Sequence, residues 1–574
     1  MLSLFRLCLV ALLVSVSNTS VAADDSSQHS SEGQKERPQA RPILVATSSA
    51  SPDEAATPLT DALDPDAARN TLLEYEDLQE RLARLAELEQ QALQLAVDEP
   101  LKLGSIGSAI LDLYSASQTG HYVLERFYAH VEAPDAATDH RLALEKIQAH
   151  MLATGTGTQD TPYTITTIYD AYAFARSQGS LPVGSIYQST AQTPFGFQLV
   201  AQPDGAALRS TYFDLTDVLP EEQVPSDSAE QAAVNRATLL RSLATRRDTA
   251  AQAAIGRYLA SVRKYDDAID WLLAAARSDN VLANIALARI YLIQAEAASD
   301  EANKSSLRQL ALENHMHAIT LGSSESMFVL ANLYLNDYYG EENRGAGVAL
   351  LQQAAELEHV DSLLYLGHLH NAGAEVAKDH DLAANYYARA AALKNPQAIL
   401  SYARFIAANP DKSTSVDIVD WLEDLSKQDY SESGEAMVAL GNLHARGIST
   451  KRSTRKAIRW YKRAIRKYSE DPDIVNEVAW TLTVSDIDGL PRKKYAKRIM
   501  TEMMESNDAA RARPEFLDTW AATYAAVGEF QMAATLQREA IEVATEQARQ
   551  DVLPILEEHL EQFEAGESII EKAP

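Results

Sequence analysis

A small residue returns at a nearly constant interval through the middle of this chain. Ala331, Gly367, Ala403 and Gly441 stand 36, 36 and 38 residues apart. Each closes a short pattern: Ser326-x3-Leu330-Ala331, Ser362-x3-Leu366-Gly367, Ala398-x3-Tyr402-Ala403 and Ala436-x3-Leu440-Gly441. A second pattern answers each one: Leu350-Leu351 with Ala354, Ala383-x2-Tyr386-Tyr387-x2-Ala390, Ile418-x2-Trp421-Leu422, and Ala457-x2-Trp460-Tyr461-x2-Ala464. Spacings of three and four place these residues on the apolar stripes of two successive helices. The small residue lets the two helices cross closely. One hairpin cannot bury both stripes alone, so neighbouring copies must supply the missing wall, and the period predicts a helical-hairpin array. Earlier copies begin at Ala251-x3-Ile255-Gly256, with Ala268-x2-Trp271-Leu272-x2-Ala275, and at Ala283-x3-Leu287-Ala288, with Ala311 and Ala318.

From Ala251 to Lys467 the pattern resembles the Sel-1-like repeat, a relative of the tetratricopeptide repeat (TPR). The match is best at Ser362–Ala391 and Glu435–Lys467. The Ala398 copy departs most, because Trp421 stands alone and the loop glycine is missing. Residues 472–549 are similar to plain tetratricopeptide repeats through Leu517, Trp520, Ala521, Tyr524, Gly528, Ala533 and Ala540, with Ala479-Trp480 and Ala496 as a weaker copy. The resemblance implies an all-α fold class: an α-solenoid of helix-turn-helix repeats wound into a right-handed superhelix. It also implies a non-catalytic scaffold. Exported bacterial members are similar in layout to assembly proteins of cell-envelope and exopolysaccharide-secretion machines. Pro554 to Phe563, with Leu556, Leu560 and Phe563 on one face, suits a capping helix.

Around the repeats, residues 1–23 read as a signal peptide: Arg6, an apolar run from Leu7 to Val16, then Val21-Ala22-Ala23 before Asp24. Cys8, the single cysteine, lies inside that run and not at the cleavage point, which argues against a lipoprotein anchor. The expectation is an exported, periplasmic chain whose mature form lacks disulfides, thiolate metal sites and a transmembrane segment. Residues 24–65, rich in Ser, Asp, Pro and Ala, read as a disordered linker. Residues 66–226 form an N-terminal helical region with a small α/β module. There, helix is expected over Asp66–Val97, as a coiled-coil element or the first helix of the stack. Gly184–Gln188 reads as a strand, and Phe197–Ala201 pairs with Leu208–Phe213 across Pro203-Asp204-Gly205 as a β-hairpin. Residues 227–470 carry the Sel-1-like repeats, 471–549 the tetratricopeptide-like ones, and 550–574 a capping helix and tail.

Two side-chain groupings suggest binding. The residue after each small crossing residue is Arg257, Arg289, Asn332, His368, Arg404 or Asn442. This register turns it toward the inner wall, and Asn371 lies one turn beyond His368. The ladder is either a partner-binding groove or an ordinary solvated stripe. Against a formal charge of -30, which argues against general nucleic-acid binding, a basic cluster runs through 451–498. It includes Arg455, Arg459, Lys462, Arg463, Arg466, Lys493 and Lys494. Such a face suits a polyanion, such as an acidic polysaccharide or an anionic surface, or is balanced by the protein's own glutamates. No cofactor or metal site is expected: His368, His370 and His380 lack a carboxylate motif, and Ser453-x2-Lys456 lies in the basic run without an oxyanion signature. The reading is therefore a non-enzymatic scaffold for other envelope proteins or peptides. Direct polysaccharide binding, or an enzyme with its site in residues 101–225, are the alternatives.

Overall fold

A computed structural model describes residues 63–219, 229–413, 417–428 and 430–571. The expected signal peptide and nearly all of the expected linker lie outside these residues. The described chain forms 25 α-helices and one four-stranded sheet, in two compact units that divide between Ser326 and Met327.

The N-terminal unit begins with two helices, Pro65–Leu73 and Leu78–Asp98, where a single helix was expected. Asp64 caps the first through the Ala67 amide. Tyr75 falls in the break, exposed, with the Arg81 guanidinium 3.8 Å from its ring centre. Helices Leu103–Leu113, Gln118–His130, Pro134–Leu152 and Ile168–Ser177 follow. The sheet has the order β1 (Tyr163–Thr164), β4 (Arg209–Asp214), β3 (Gly196–Pro203), β2 (Ser180–Gln188). The expected hairpin is present as β3–β4, with Phe197 opposite Phe213 and Ala201 opposite Arg209. The expected third strand is β2, antiparallel to β3. Sequence did not show β1, two residues paired in parallel with the end of β4. A run that short carries no alternation to read.

The sheet docks on the first repeats. Phe197, Leu199 and Phe213 are buried in one cluster with Ala171, Ala251, Leu272 and Leu287. Tyr187 Oη donates to Asp248 Oδ2 at 3.2 Å, and Asn280 Nδ2 donates to the Ser185 carbonyl at 2.7 Å. Asp248 and Asn280 also cap the helices Thr249–Ser261 and Val281–Ala297. The strand is thus tied to the cap of each hairpin in turn. β2 is an edge strand, so Pro182 breaks no ladder there, and its register shifts between Pro182 and Gly184.

In the C-terminal unit the hairpins repeat with the same local chemistry. Val360–Ala372 pairs with His380–Ala392, and Ser433–Arg446 with Thr454–Lys467. Gly373 (φ +75°) and Gly447 (φ +80°) end the first helices in the left-handed conformation that glycine adopts without steric cost. Asp379 and Ser453 cap the second helices. In both loops the cap amide returns to a histidine carbonyl of the first helix, Asp379 to His370 (2.9 Å) and Ser453 to His444 (2.7 Å). Ser453 therefore serves as a helix cap, accepting from the Lys456 amide. Further hairpins lead to Pro514–Ala525, Phe530–Glu546 and the expected capping helix, Leu553–Glu564.

Candidate docking surface

The close crossings are visible as contacts. A methyl group at Gly441 would stand 2.2 Å from the Tyr461 ring, and one at Gly367 2.9 Å from Tyr387. At Gly347 it would meet the Ala331 carbonyl at 3.0 Å. These crossings set the residue that follows each small position. Asn442 Oδ1 accepts from the Tyr461 hydroxyl at 2.7 Å, and His368 Nδ1 meets the Tyr387 hydroxyl at 2.8 Å. The second helix thus aims the first helix's polar side chain.

The seven ladder residues do not share one environment. Arg257, on Thr249–Ser261, is exposed, and Arg289, on Val281–Ala297, is half-buried; both belong to the N-terminal unit. In the C-terminal unit, Asn332 on Ser324–Leu335 donates to the Phe328 carbonyl of its own helix at 2.9 Å. His368 reaches solvent, with its pKa lowered by the protein around it. Asn371 is half-buried on the same helix.

Arg404 and Asn442 are brought together. Arg404, on Pro396–Ala408, forms an ion pair with Glu435 of the next first helix. Asn442 Nδ2 donates to Glu477 Oε1 at 3.4 Å, on Pro472–Val484, the first helix after that. Glu477 reaches solvent, yet desolvation by its surroundings raises its carboxyl pKa, while Asn442 and Arg404 pull it down. Three successive first helices therefore present Arg404, Glu435, Asn442 and Glu477 on one wall. The two glutamates were missed from sequence because they belong to the following copy. Trp480 was missed as well, although it follows the small residue Ala479 in the same register. It is half-buried, and its indole Nε1 donates to Glu571 at 3.0 Å.

The basic cluster lies on second helices. Arg455, Arg459, Lys462, Arg463 and Arg466 are exposed along Thr454–Lys467, while Ala457, Tyr461 and Ala464 are fully buried on its other face. No described carboxylate pairs with those five cations. Lys493 and Lys494 are exposed at the start of Lys493–Ser506. The two helices meet at Tyr495, whose ring centre is 5.3 Å from Lys462 Nζ and 5.2 Å from the Arg498 guanidinium. Farther along, acids intervene: Lys497 pairs with Glu529, and Arg498 with Glu502. The histidines expected not to ligate metal sit apart in role. His370 stacks on Tyr386 and His380 abuts Phe405.

Between the first helix and residues 101–225 a cavity of about 230 Å³ is lined by Arg69, Tyr114, Gln118, His150, Asp170 and Asp217, among others. Its buried carboxylate, Asp170, has structural duties. Asp170 accepts from the amides of Gln118 (3.0 Å) and Thr167 (3.4 Å), joining two helix N-termini. Behind it, the fully buried Glu89 accepts from Ser117 Oγ at 2.6 Å and Thr167 Oγ1 at 2.5 Å. Burial is the main cause that pushes Asp170 up to about 6, and burial followed by the Asp170 charge pushes Glu89 well above the usual carboxylate range.

A family model described as Sel1 repeat matches residues 324–359, 360–395 and 434–469. The most divergent copy, after Pro396, falls between the matched segments. No curated protein matches this chain. Among solved structures, a Sel1 repeat protein from Oxalobacter formigenes is similar at 18% identity, covering 44% of this chain and 98% of the other, with a TM-score of 0.30. A protective antigen of uropathogenic Escherichia coli strains, displaying an SLR fold, gives 15% identity, 85% and 97% coverage, and a TM-score of 0.38. Yeast Tom70 gives 12% identity, 85% and 96% coverage, and a TM-score of 0.30. Each matched segment is a helical hairpin crossed closely at its small residue, Ala331, Gly367 or Gly441, and by pattern and geometry together the chain carries three Sel1 repeats.

Proposed function

We propose that this chain is a non-catalytic docking scaffold that works in the bacterial periplasm, assembling a cell-envelope or exopolysaccharide-secretion complex. The observation that supports docking is the wall of Arg404, Glu435, Asn442 and Glu477, where consecutive first helices place charged and hydrogen-bonding groups side by side within reach of solvent. Binding strength on such a wall comes from many modest contacts around a few anchors. The export signal expected at residues 1–23 supports the compartment. In-cell crosslinking of the mature protein, followed by identification of the trapped species, tests the reading. Arg404→Glu abolishes capture while the helical circular-dichroism signal is kept. Capture at unchanged affinity by that variant overturns the groove as the docking site.

A second reading is favoured by Arg455, Arg459, Lys462, Arg463 and Arg466, with which no described carboxylate pairs. Arg455, Arg459, Lys462 and Arg466 recur at i, i+4, i+7 and i+11, a charged stripe about 16 Å long. In a chain this acidic, a stripe with no described counter-charge suits an acidic polysaccharide or an anionic surface. Binding to an acidic polysaccharide falls steeply with added salt, and Arg459→Glu/Lys462→Glu removes it. Salt-insensitive binding excludes the stripe.

A further inference from the structure

The last described residues of the chain lie against this same wall. Helix Leu553–Glu564 is closed by Gly566, whose φ of +77° reverses the backbone, and the Glu567 amide seals the turn on the Gln562 carbonyl at 2.8 Å. The chain then runs away from the helix. Ser568 Oγ donates to the Ala525 carbonyl at 2.9 Å. Ile569 is 8% exposed and packs into the core of the last repeats, whereas Ile570 is 72% exposed. Glu571 is held at three points. Its amide donates to the Val484 carbonyl at 2.9 Å, its carbonyl accepts from the Asp486 amide at 3.3 Å, and its carboxylate accepts from Trp480 Nε1 at 3.0 Å. The two main-chain bonds make a parallel β-bridge with Ser485.

Trp480 occupies the ladder register of Arg404 and Asn442, so a rung of the inner wall grips a peptide carboxylate. Beside Glu571 a cavity of about 140 Å³ continues along the wall, lined by Asn442, Arg446, Tyr461, Trp480 and Thr481, among others. Arg446, which donates to the Ala407 carbonyl at 2.7 Å, brings a positive charge to this lining beside the indole N–H that holds Glu571. Main-chain pairing supplies affinity whatever the sequence, and alternate side chains supply selectivity. One side chain of the tail is buried, the next faces out and the third is read by Trp480, which is the alternation of a bound strand.

We propose that this stretch of wall is a slot for an extended peptide carrying an aliphatic residue two places before a carboxylate. Residues 568–571 fill it in cis, and a partner segment of the same chemistry displaces them. The proposal rests on the docking reading above and names the chemistry of the docked segment. The cis tail acts as a competitor at high effective concentration, so a free peptide meets a slot already occupied.

The test uses the full-length chain and a fluorescent peptide of residues 566–574. The unaltered chain binds it weakly. Glu571→Lys in the chain, which removes the acid that Trp480 holds, raises peptide affinity by about tenfold or more. Adding Trp480→Phe cancels that gain, because the ring stays but the N–H donor is lost. A peptide carrying Glu571→Gln or Ile569→Ser binds the Glu571→Lys chain about tenfold more weakly than the parent peptide. If the Glu571→Lys chain keeps its helical signal and melting temperature but shows no gain, the slot is refuted. If Glu571→Lys melts the last repeats, the tail is a structural cap and the slot is refuted as well. Partner capture that survives Trp480→Phe unchanged removes the slot but leaves the docking reading standing. Peptide binding as predicted, with no protein trapped in cells, removes the docking reading and leaves the slot.

Discussion

Gly441→Ala tests the close crossing on which the repeat depends. A Cβ at this position would stand 2.2 Å from Tyr461 Cε1, 2.6 Å from Cδ1 and 2.7 Å from Cζ. The ring has little freedom to yield: Tyr461 is fully buried and its hydroxyl is anchored on Asn442. Alanine's better helix propensity contributes about 1 kcal/mol in favour of the variant. Against this, overpacking costs about 1–3 kcal/mol, and a displaced hydroxyl bond costs about 1 kcal/mol. With a contact this short the overpacking term lies at its upper end, so the net loss is about 2–3 kcal/mol. Gly367→Ala meets Tyr387 at 2.9 Å, where a few tenths of an ångström relieve the contact, and loses less. Gly345→Ala meets nothing within 4 Å and is neutral or slightly stabilising. Urea unfolding followed by far-ultraviolet circular dichroism gives the order. Tyr461→Leu in the Gly441→Ala background recovers part of the loss, and the double-mutant cycle measures the coupling. A Gly441→Ala chain as stable as the parent refutes the crossing as the source of the glycine.

The remaining predictions concern the buried polar groups and the wall. Asp518 accepts from Gln537 Nε2 at 2.8 Å and meets His559 Nδ1 at 2.8 Å inside the last repeats. Asp518→Ala takes a buried hydrogen-bond partner from both and costs about 1–3 kcal/mol, read as a lowered urea midpoint; a shift too small to measure contradicts that role. Glu89 and Asp170 hold protons more tightly folded than unfolded, so their contribution to stability is full below about pH 4 and fades as pH rises through about 6 for Asp170. Glu89→Gln keeps a neutral hydrogen-bonding group and relieves the repulsion on Asp170, so its melting temperature falls less than the parent's between pH 4 and 7. Parallel pH profiles refute the coupling of Glu89 to Asp170. Asn442→Ala removes the acceptor of the buried Tyr461 hydroxyl and costs about 1–3 kcal/mol, by the same urea assay; a neutral result shows that Asn442 serves only the surface.

The chain's periodicity determined the hairpins, the crossing residues and the outward placement of the basic stripe. All three follow from spacing along one helix, which fixes angular position once one face must be buried. The β3–β4 register was legible for the same reason, because Pro203-Asp204-Gly205 and the flanking apolar residues are local. What Asn442, His368 and Arg404 touch was not legible. Their partners, Tyr461, Tyr387 and Glu435, lie 19, 19 and 31 residues away and are chosen by how neighbouring helices pack. Nor does the tail's sequence announce that Glu571 reaches Trp480 across 91 residues. A strand is legible in sequence when its own alternation specifies it, whereas this one is held by two main-chain bonds and a single side chain. Only the folded wall supplies those partners, so tertiary structure alone decided that the end of the described chain lies against Trp480.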